Sequence, residues 1–148
     1  MVRIVPSLVT ERIESVKAGI VGAGAFVSAQ LVIVLLGETI VKGFPQYNLT
    51  PTILNWELLL QLFFGVVSGF LFGVTYRYII RDDRNSHLSD GAVLAFGLVR
   101  GLASIENNLI WSELLFLLFL VTKSIICFAI ARLILDLAIT HKSIEPFG

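Results

Sequence analysis

An uncharged run of 19 residues, from Ala18 to Leu36, places the strongest constraint on the fold of this chain. At a rise of about 1.5 Å per residue, a helix of this length nearly crosses a hydrocarbon layer of about 30 Å. Hydrophobic residues make up 56% of the 148 residues and charged residues only 15%, unlike the composition of a water-soluble domain. The sequence therefore predicts an integral membrane protein, with the lipid bilayer as its main surroundings and helices as its spanning elements.

Three more apolar segments follow the first. The predicted spans cover residues 18–36, 54–80, 89–105 and 109–139. A polar hinge over residues 81–90 separates the second span from the third. We expect one transmembrane domain over residues 1–148, an all-α bundle of four helices in up-down-up-down order. The third segment contains Arg100 at a depth where lipid penalises charge, so a re-entrant segment is the alternative to a full crossing.

The segment before the first span allows two interpretations. Residues 1–17 are a mixture of apolar and charged side chains, with Glu11 and Lys17 among the charged ones. Such a segment either forms a separate helix at the membrane interface or extends the first span. We prefer the extension.

Basic residues indicate the orientation of the spans. If there are four spans, the N-terminal segment, the hinge and the C-terminal end lie on one side of the membrane. These regions contain most of the basic residues: Arg3, Arg12, Lys17, Arg77, Arg81, Arg84, Arg132 and Lys142. The opposite side has Lys42 and mainly acidic residues. The positive-inside rule therefore predicts that both termini and the hinge face the cytoplasm or its equivalent.

Glycines four residues apart mark predicted helix contacts. Gly65, Gly69 and Gly73 form two overlapping GxxxG repeats, and Gly97 and Gly101 form another pair. Such spacing lets a second helix backbone approach closely. We predict that the two glycine faces pack together across the hinge. For the first face, contact with another membrane protein subunit is the alternative, and a homo-oligomer is one form of such contact.

Charged residues at membrane depth are the best candidates for a functional role. Lys123 lies near the centre of the fourth span, where an unpaired ammonium is costly, so we expect it to face protein or water. Gln30 is the nearest polar candidate by depth. Arg100 is the second cation at depth, and pairing with Glu113 or Glu106 is its simplest interpretation. Lys123, Arg100 and Glu113 could instead line a polar path.

A second set of charges lies toward the positive side of the predicted bundle. Arg77 and Arg132 could pair there with Asp90 and Asp136. Such pairs would hold the register between helices, although buried ion pairs are weak evidence for stability.

The hinge is the most polar segment of the chain. Its charged and titratable residues are Arg81, Asp82, Asp83, Arg84 and His87. Their spacing matches no EF-hand or zinc pattern, so we predict no metal site. An aqueous turn with internal charge pairs is the simplest interpretation, and such a turn can dock to a partner.

The sequence argues against several functional classes. It lacks a phosphate-binding glycine loop, a nucleophile elbow and an HExxH helix, so we do not expect an enzyme. Its 11 basic and 11 acidic residues cancel, so nucleic-acid binding is not expected. His87 and His141 both lie outside the spans, which argues against a transmembrane bis-histidine haem site.

Residues 75–103, TYRYIIRDDRNSHLSDGAVLAFGLVRGLA, resemble a group of small, poorly characterised polytopic thylakoid membrane proteins of cyanobacteria and plastids. The resemblance implies a photosynthetic membrane and a hinge on the stromal or cytoplasmic side, but no activity. It makes chlorophyll binding through His87 worth naming, although a solvated loop histidine is the simpler interpretation. We expect a non-enzymatic accessory or assembly protein of a thylakoid membrane complex. The alternative is a small transporter or ion-conducting oligomer.

Overall fold

The computed structural model describes residues 8–41, 56–80, 86–103 and 114–145 of the chain, and nearly all of them are helical. The helices are α1 (Leu8–Val41), α2 (Trp56–Ile79), α3 (Ser86–Ala103) and α4 (Leu114–Thr140). The prediction of an all-α bundle of four helices is confirmed. Among the described residues, α1, α2 and α4 each contain a stretch long and apolar enough to cross a membrane. These helices are those of an integral membrane protein.

Helix α1 includes residues that precede the predicted first span. It begins at Leu8 and continues without interruption to Val41. Neither glycine nor proline occurs between Leu8 and Lys17, so nothing breaks the helix before the apolar run. For residues 8–17, extension of the first span is confirmed, and the alternative of a separate interfacial helix is wrong.

Neighbouring helices run in opposite directions. Ala18 of α1 lies beside Gly73 of α2, whereas Phe26 lies beside Gly65, so the numbering rises along one helix as it falls along the other. Helices α3 and α4 show the same reversal, as do α2 and α3. This is the expected up-down-up-down order.

Glycine allows α1 and α2 to pack with their backbones in close contact. A Cβ atom at Gly22 would lie 2.5 Å from the carbonyl oxygen of Gly69, and one at Gly69 would lie 2.8 Å from the carbonyl oxygen of Gly22. Because these neighbours are backbone atoms, they cannot move aside as a flexible side chain can. The α1–α2 seam therefore requires residues without side chains at both positions.

The prediction that the two glycine faces pack on each other is wrong. Gly65, Gly69 and Gly73 face α1. Gly97 and Gly101 face α4, where Cβ atoms would lie 2.7 Å from Ile125 and Val121 respectively. The GxxxG pattern marks a face that permits close approach but does not specify what approaches it. Since the first face is covered by α1, it is also not open to another subunit.

Four phenylalanines, one from each helix, fill the centre of the bundle. We call this group the aromatic layer: Phe26, Phe72, Phe96 and Phe128. The ring centroids of Phe26 and Phe128 are 4.6 Å apart, and those of Phe72 and Phe128 are 5.1 Å apart. The rings are tilted or edge-on, the arrangements that aromatic pairs prefer. The aromatic layer fills the bundle axis at its level.

Candidate functional site

A polar layer joins all four helices at one end of the bundle. We call this end the charged end. Its principal members are Glu11, Glu14, Ser15, Tyr76, Arg77, Asp90, Arg132, Asp136 and Glu145. The layer brings the N-terminal parts of α1 and α3 together with the C-terminal parts of α2 and α4. It therefore lies where the sequence predicts the positive side.

Arg77 is the centre of this layer and is only 1% exposed. Its Nη2 donates to Glu11 Oε2 at 2.5 Å, and its Nη1 donates to the Glu11 carbonyl oxygen at 3.0 Å and to Ser15 Oγ at 2.8 Å. Its Nε donates to the carbonyl oxygen of Glu145 at 2.8 Å. A buried guanidinium is tolerated only when its donors are used in this way. Arg77 thus connects α2, α1 and the C-terminal tail.

Arg132 forms the second centre of the charged end. It pairs with Asp90 of α3 through Nη1, and its Nε lies 3.7 Å from Asp136 Oδ2 on its own helix. The hydroxyl of Tyr76 donates to Asp136 Oδ1 at 2.7 Å. The sequence predicted that Asp90 and Asp136 pair with Arg77 and Arg132. In the structure both acids pair with Arg132, whereas Arg77 pairs with Glu11 of α1.

The C-terminal tail folds back over the charged end. Helix α4 ends at Thr140, and Lys142 just beyond it adopts a left-handed conformation with φ of 56°. The amides of Lys142 and Ser143 donate to the carbonyls of Ile139 and Ala138, the paired bonds of a Schellman ending. Ile144 is then buried, and the amide of Glu145 donates to the carboxylate of Glu14 at 3.2 Å. The tail is therefore part of the packed structure.

A second polar layer lies near the middle of the bundle. We call it the middle layer: Gln30, Ser68, Arg100, Lys123 and Ser124. Ser124 lies about 12 Å along α4 from Arg132, by the usual helical rise. Since a hydrocarbon layer is about 30 Å thick, the middle layer lies deep in the membrane.

Arg100 extends from α3 across the interior to α2 and α1. Its Nη1 donates to Ser68 Oγ at 3.1 Å, and its Nη2 donates to the Gln61 carbonyl oxygen at 3.3 Å. Its guanidinium carbon lies 4.9 Å from the ring centroid of Phe26, within range of a cation–π interaction. The predicted partners Glu106 and Glu113 lie outside the described residues, so that prediction stands untested. Sequence reasoning missed Ser68, because no short spacing connects it to Arg100.

Lys123 is half-buried on α4. It is close enough to Arg100 for the two positive charges to act on each other. The thiol of Cys127, one helical turn away and buried, lies within the field of both cations. The middle layer therefore contains two like charges at a depth where single charges are already costly.

Two buried oxygen atoms complete the middle layer. Gln30 is 4% exposed and Ser124 is 8% exposed. Within the described part of the chain, neither Gln30 Oε1 nor Ser124 Oγ has a hydrogen-bond partner. They share a level, because Gln30 follows Phe26 by one turn, Ser124 precedes Phe128 by one turn, and these two rings are in contact. The depth match between Gln30 and α4 agrees with the sequence analysis.

The tip of the hinge is largely outside the described residues. Arg81, Asp82, Asp83 and Arg84 belong to this part of the chain. His87 lies in the first turn of α3 with an exposed side chain. In the described ranges, no group of three or more His, Cys, Asp or Glu residues is placed to hold a metal ion.

A surface groove runs between α3 and α4, with a volume of about 480 Å³. Its lining residues are Asp90, Val93, Leu94, Ala129, Arg132, Leu133 and Asp136. Its three charged residues lie toward the charged end of the bundle. Its apolar residues line the part that extends toward the middle layer.

No family model, curated protein or solved structure matches the chain.

Proposed function

We propose that the chain is a non-enzymatic accessory or assembly protein of a membrane complex. The observation that carries this proposal is that the helices cover one another's interior faces within a single copy of the chain. The aromatic layer fills the axis, and both glycine faces are covered by helices of the same chain. The outer apolar surface and the charged end are then the surfaces available for contact with other molecules.

The hairpin between α2 and α3 is the proposed docking element. His87 is exposed at the start of α3, and Asp90, one turn later, is about half exposed. The preceding residues 81–84 contain charges of both signs. Mixed charges at a contact favour specificity and orientation more than affinity. A partner with a complementary pattern would therefore be selected at this tip.

A photosynthetic membrane is the proposed location. The resemblance of residues 75–103 to thylakoid membrane proteins supports a thylakoid membrane, or the plasma membrane of a cyanobacterium, or the plastid equivalent. The basic residues around the charged end support a stromal or cytoplasmic side for it. Chlorophyll at His87 stays a prediction that the absorbance spectrum of a native preparation would test.

A photocrosslinking amino acid at position 87 is expected to join the chain to one defined partner protein in native membranes. The same crosslinker at Ile20, an exposed position on α1, is expected to give mainly lipid adducts. Mass spectrometry of the adducts identifies the partner. Neutralising the four charges of residues 81–84 should then reduce the position-87 adduct about tenfold, because charges at a contact steer and orient the partner. The thermal midpoint of the purified protein should not change.

Two outcomes contradict the docking proposal. One is the same set of adducts from positions 87 and 20, which would mean that the hairpin tip has no preferred neighbour. The other is an unchanged position-87 adduct after the charges of residues 81–84 are removed. Either result would leave the hairpin as a simple connection between helices.

A small transporter or ion-conducting oligomer is the second candidate, because Arg100 and Lys123 lie in the middle layer. Intramembrane cations commonly mark ion or substrate pathways. In a single copy, however, the aromatic layer lies one helical turn from the middle layer toward the charged end. An ion path along the axis would have to cross these packed rings. A path between copies would avoid them, and Glu113, which lies outside the described residues, could contribute to it.

Proteoliposomes containing the protein are expected to release chloride no faster than protein-free vesicles under an imposed gradient, because the aromatic layer closes the axis. A chloride-sensitive dye measures the release. Protein-dependent flux that Lys123→Met abolishes, but that Lys142→Met at an exposed position just beyond α4 leaves unchanged, would replace the accessory function with the transport function.

A further inference from the structure

The groove between α3 and α4 changes character along its length. Asp90, Arg132 and Asp136 line the end near the charged end of the bundle. Ala129 lies about 10 Å deeper than Asp136 along α4, by the usual helical rise. The walls there are apolar, and Leu94 and Leu133 are exposed on the outer surface. The groove thus has a polar end toward the charged end of the bundle and an apolar body. In a membrane-spanning bundle, this arrangement suits a molecule with a polar headgroup and an acyl chain.

The three charged residues of the groove alternate in sign. Arg132 lies between Asp90 and Asp136 and pairs with both. The side chains of Asp90 and Asp136 are 54% and 41% exposed, whereas that of Arg132 is 23% exposed. Hydrogen-bond acceptors are therefore the main groups offered to a ligand, with one guanidinium donor group between them.

This pattern discriminates among lipid headgroups. A phosphate placed beside Arg132 would face two carboxylates, and an ammonium placed beside either carboxylate would face the guanidinium. Opposed like charges of this kind disfavour binding. Neutral hydroxyl groups meet no such conflict, because each hydroxyl can donate to a carboxylate and accept from a guanidinium. A headgroup with several hydroxyls fits both the sign pattern and the exposure of the three side chains.

We propose that this groove binds one neutral glycolipid. Its sugar hydroxyls contact Asp90, Arg132 and Asp136, and one acyl chain lies along the apolar walls beside Leu94 and Ala129. The site adjoins the proposed docking element at Asp90. Its tests alter other residues than the docking test, which changes residues 81–84, so either proposal can fail without the other.

Native mass spectrometry of the full chain tests this site. The protein is exchanged into a mild detergent containing equal amounts of a monogalactosyl diacylglycerol, a phosphatidylethanolamine and a phosphatidylglycerol with matched acyl chains. We expect one galactolipid per chain, retained about tenfold more than either phospholipid, because facing like charges disfavour both phospholipid headgroups. Asp136→Asn should reduce this retention about tenfold, because it removes the charge that strengthens the hydrogen bond from a sugar hydroxyl.

Leu94→Trp provides a second variant that does not depend on the charged groups. The side chain of Leu94 is half exposed, so a larger one should fill the groove without disturbing the core. We expect loss of galactolipid retention with an unchanged thermal midpoint. Leu98→Trp, at an exposed position one turn further along α3 and outside the groove lining, is the matched control. Equal retention of the three lipids, preference for either phospholipid, or full retention in Leu94→Trp would overturn the proposal.

Discussion

Replacing Arg77 with methionine is expected to lower the free energy of unfolding by about 3–5 kcal/mol, the loss typical of removing one partner of a buried ion pair. The variant leaves the Glu11 carboxylate without its guanidinium and leaves the Glu145 carbonyl without its donor. It also releases the tail from the end of α2. The measurement is equilibrium unfolding in mixed micelles of a mild detergent and dodecyl sulfate, followed by tryptophan fluorescence or circular dichroism.

Arg12→Met is the matched control, since Arg12 is exposed on the same turn of α1 as Glu11. Its effect is expected to stay within about 0.5 kcal/mol, as for most surface substitutions. A second arm removes the acid as well. In the background of Glu11→Leu, Arg77→Met should lower the free energy of unfolding by less than it does alone, because no carboxylate is then left without its partner. Equal effects of Arg77→Met and Arg12→Met would contradict the central position of Arg77.

The sequence predicted this layer only in part, and the reason is the range of its contacts. Arg132 and Asp136 are four residues apart on one helix, a spacing that sequence reasoning recognises directly. Arg77 and Glu11 are 66 residues apart. Their pairing depends on α1 extending back to Leu8 and on its position against α2, neither of which any local pattern specifies.

The middle layer shows the same division. Hydropathy and depth identified Arg100, Lys123 and Gln30, because a polar residue inside an apolar run stands out in the sequence. Ser68 did not stand out, since serine is common in membrane helices and costs little there. Its role depends on the antiparallel pairing of α2 and α3, which places it beside Arg100. The depth of these charges can therefore be predicted from the sequence, whereas their partners depend on how the helices pack.

Glycine positions were also easier to predict than glycine contacts. The spacing of Gly65, Gly69 and Gly73 marked a contact face correctly, but the neighbour proved to be α1 and not α3. The partner face on α1 contains Gly22 and Ala18, also four residues apart. Both α1 and α3 have a face of small residues four apart on which α2 could pack. The GxxxG spacing does not indicate which of the two faces α2 contacts.

Gly22→Leu is expected to lower the free energy of unfolding by about 3 kcal/mol or more, at the upper end of overpacking effects. A Cβ at this position would lie 2.5 Å from the carbonyl oxygen of Gly69 and 2.9 Å from Gly73 Cα. Both neighbours are backbone, so α1 and α2 must separate to admit any side chain. The separation would weaken the whole α1–α2 seam. Unfolding in mixed micelles measures the loss.

Gly24→Leu makes this prediction specific to the seam. Gly24 lies on the same helix, two residues further on, but nothing lies within 4 Å of its Cβ position. Leucine favours helix over glycine by roughly 0.5–1 kcal/mol, so this variant should be neutral or slightly stabilised. The two variants have the same composition and differ only in the helix face that they alter. If they unfold at the same midpoint, α1 does not pack on α2 through Gly22. If Gly24→Leu unfolds more easily than Gly22→Leu, α1 packs on α2 through the face that contains Gly24.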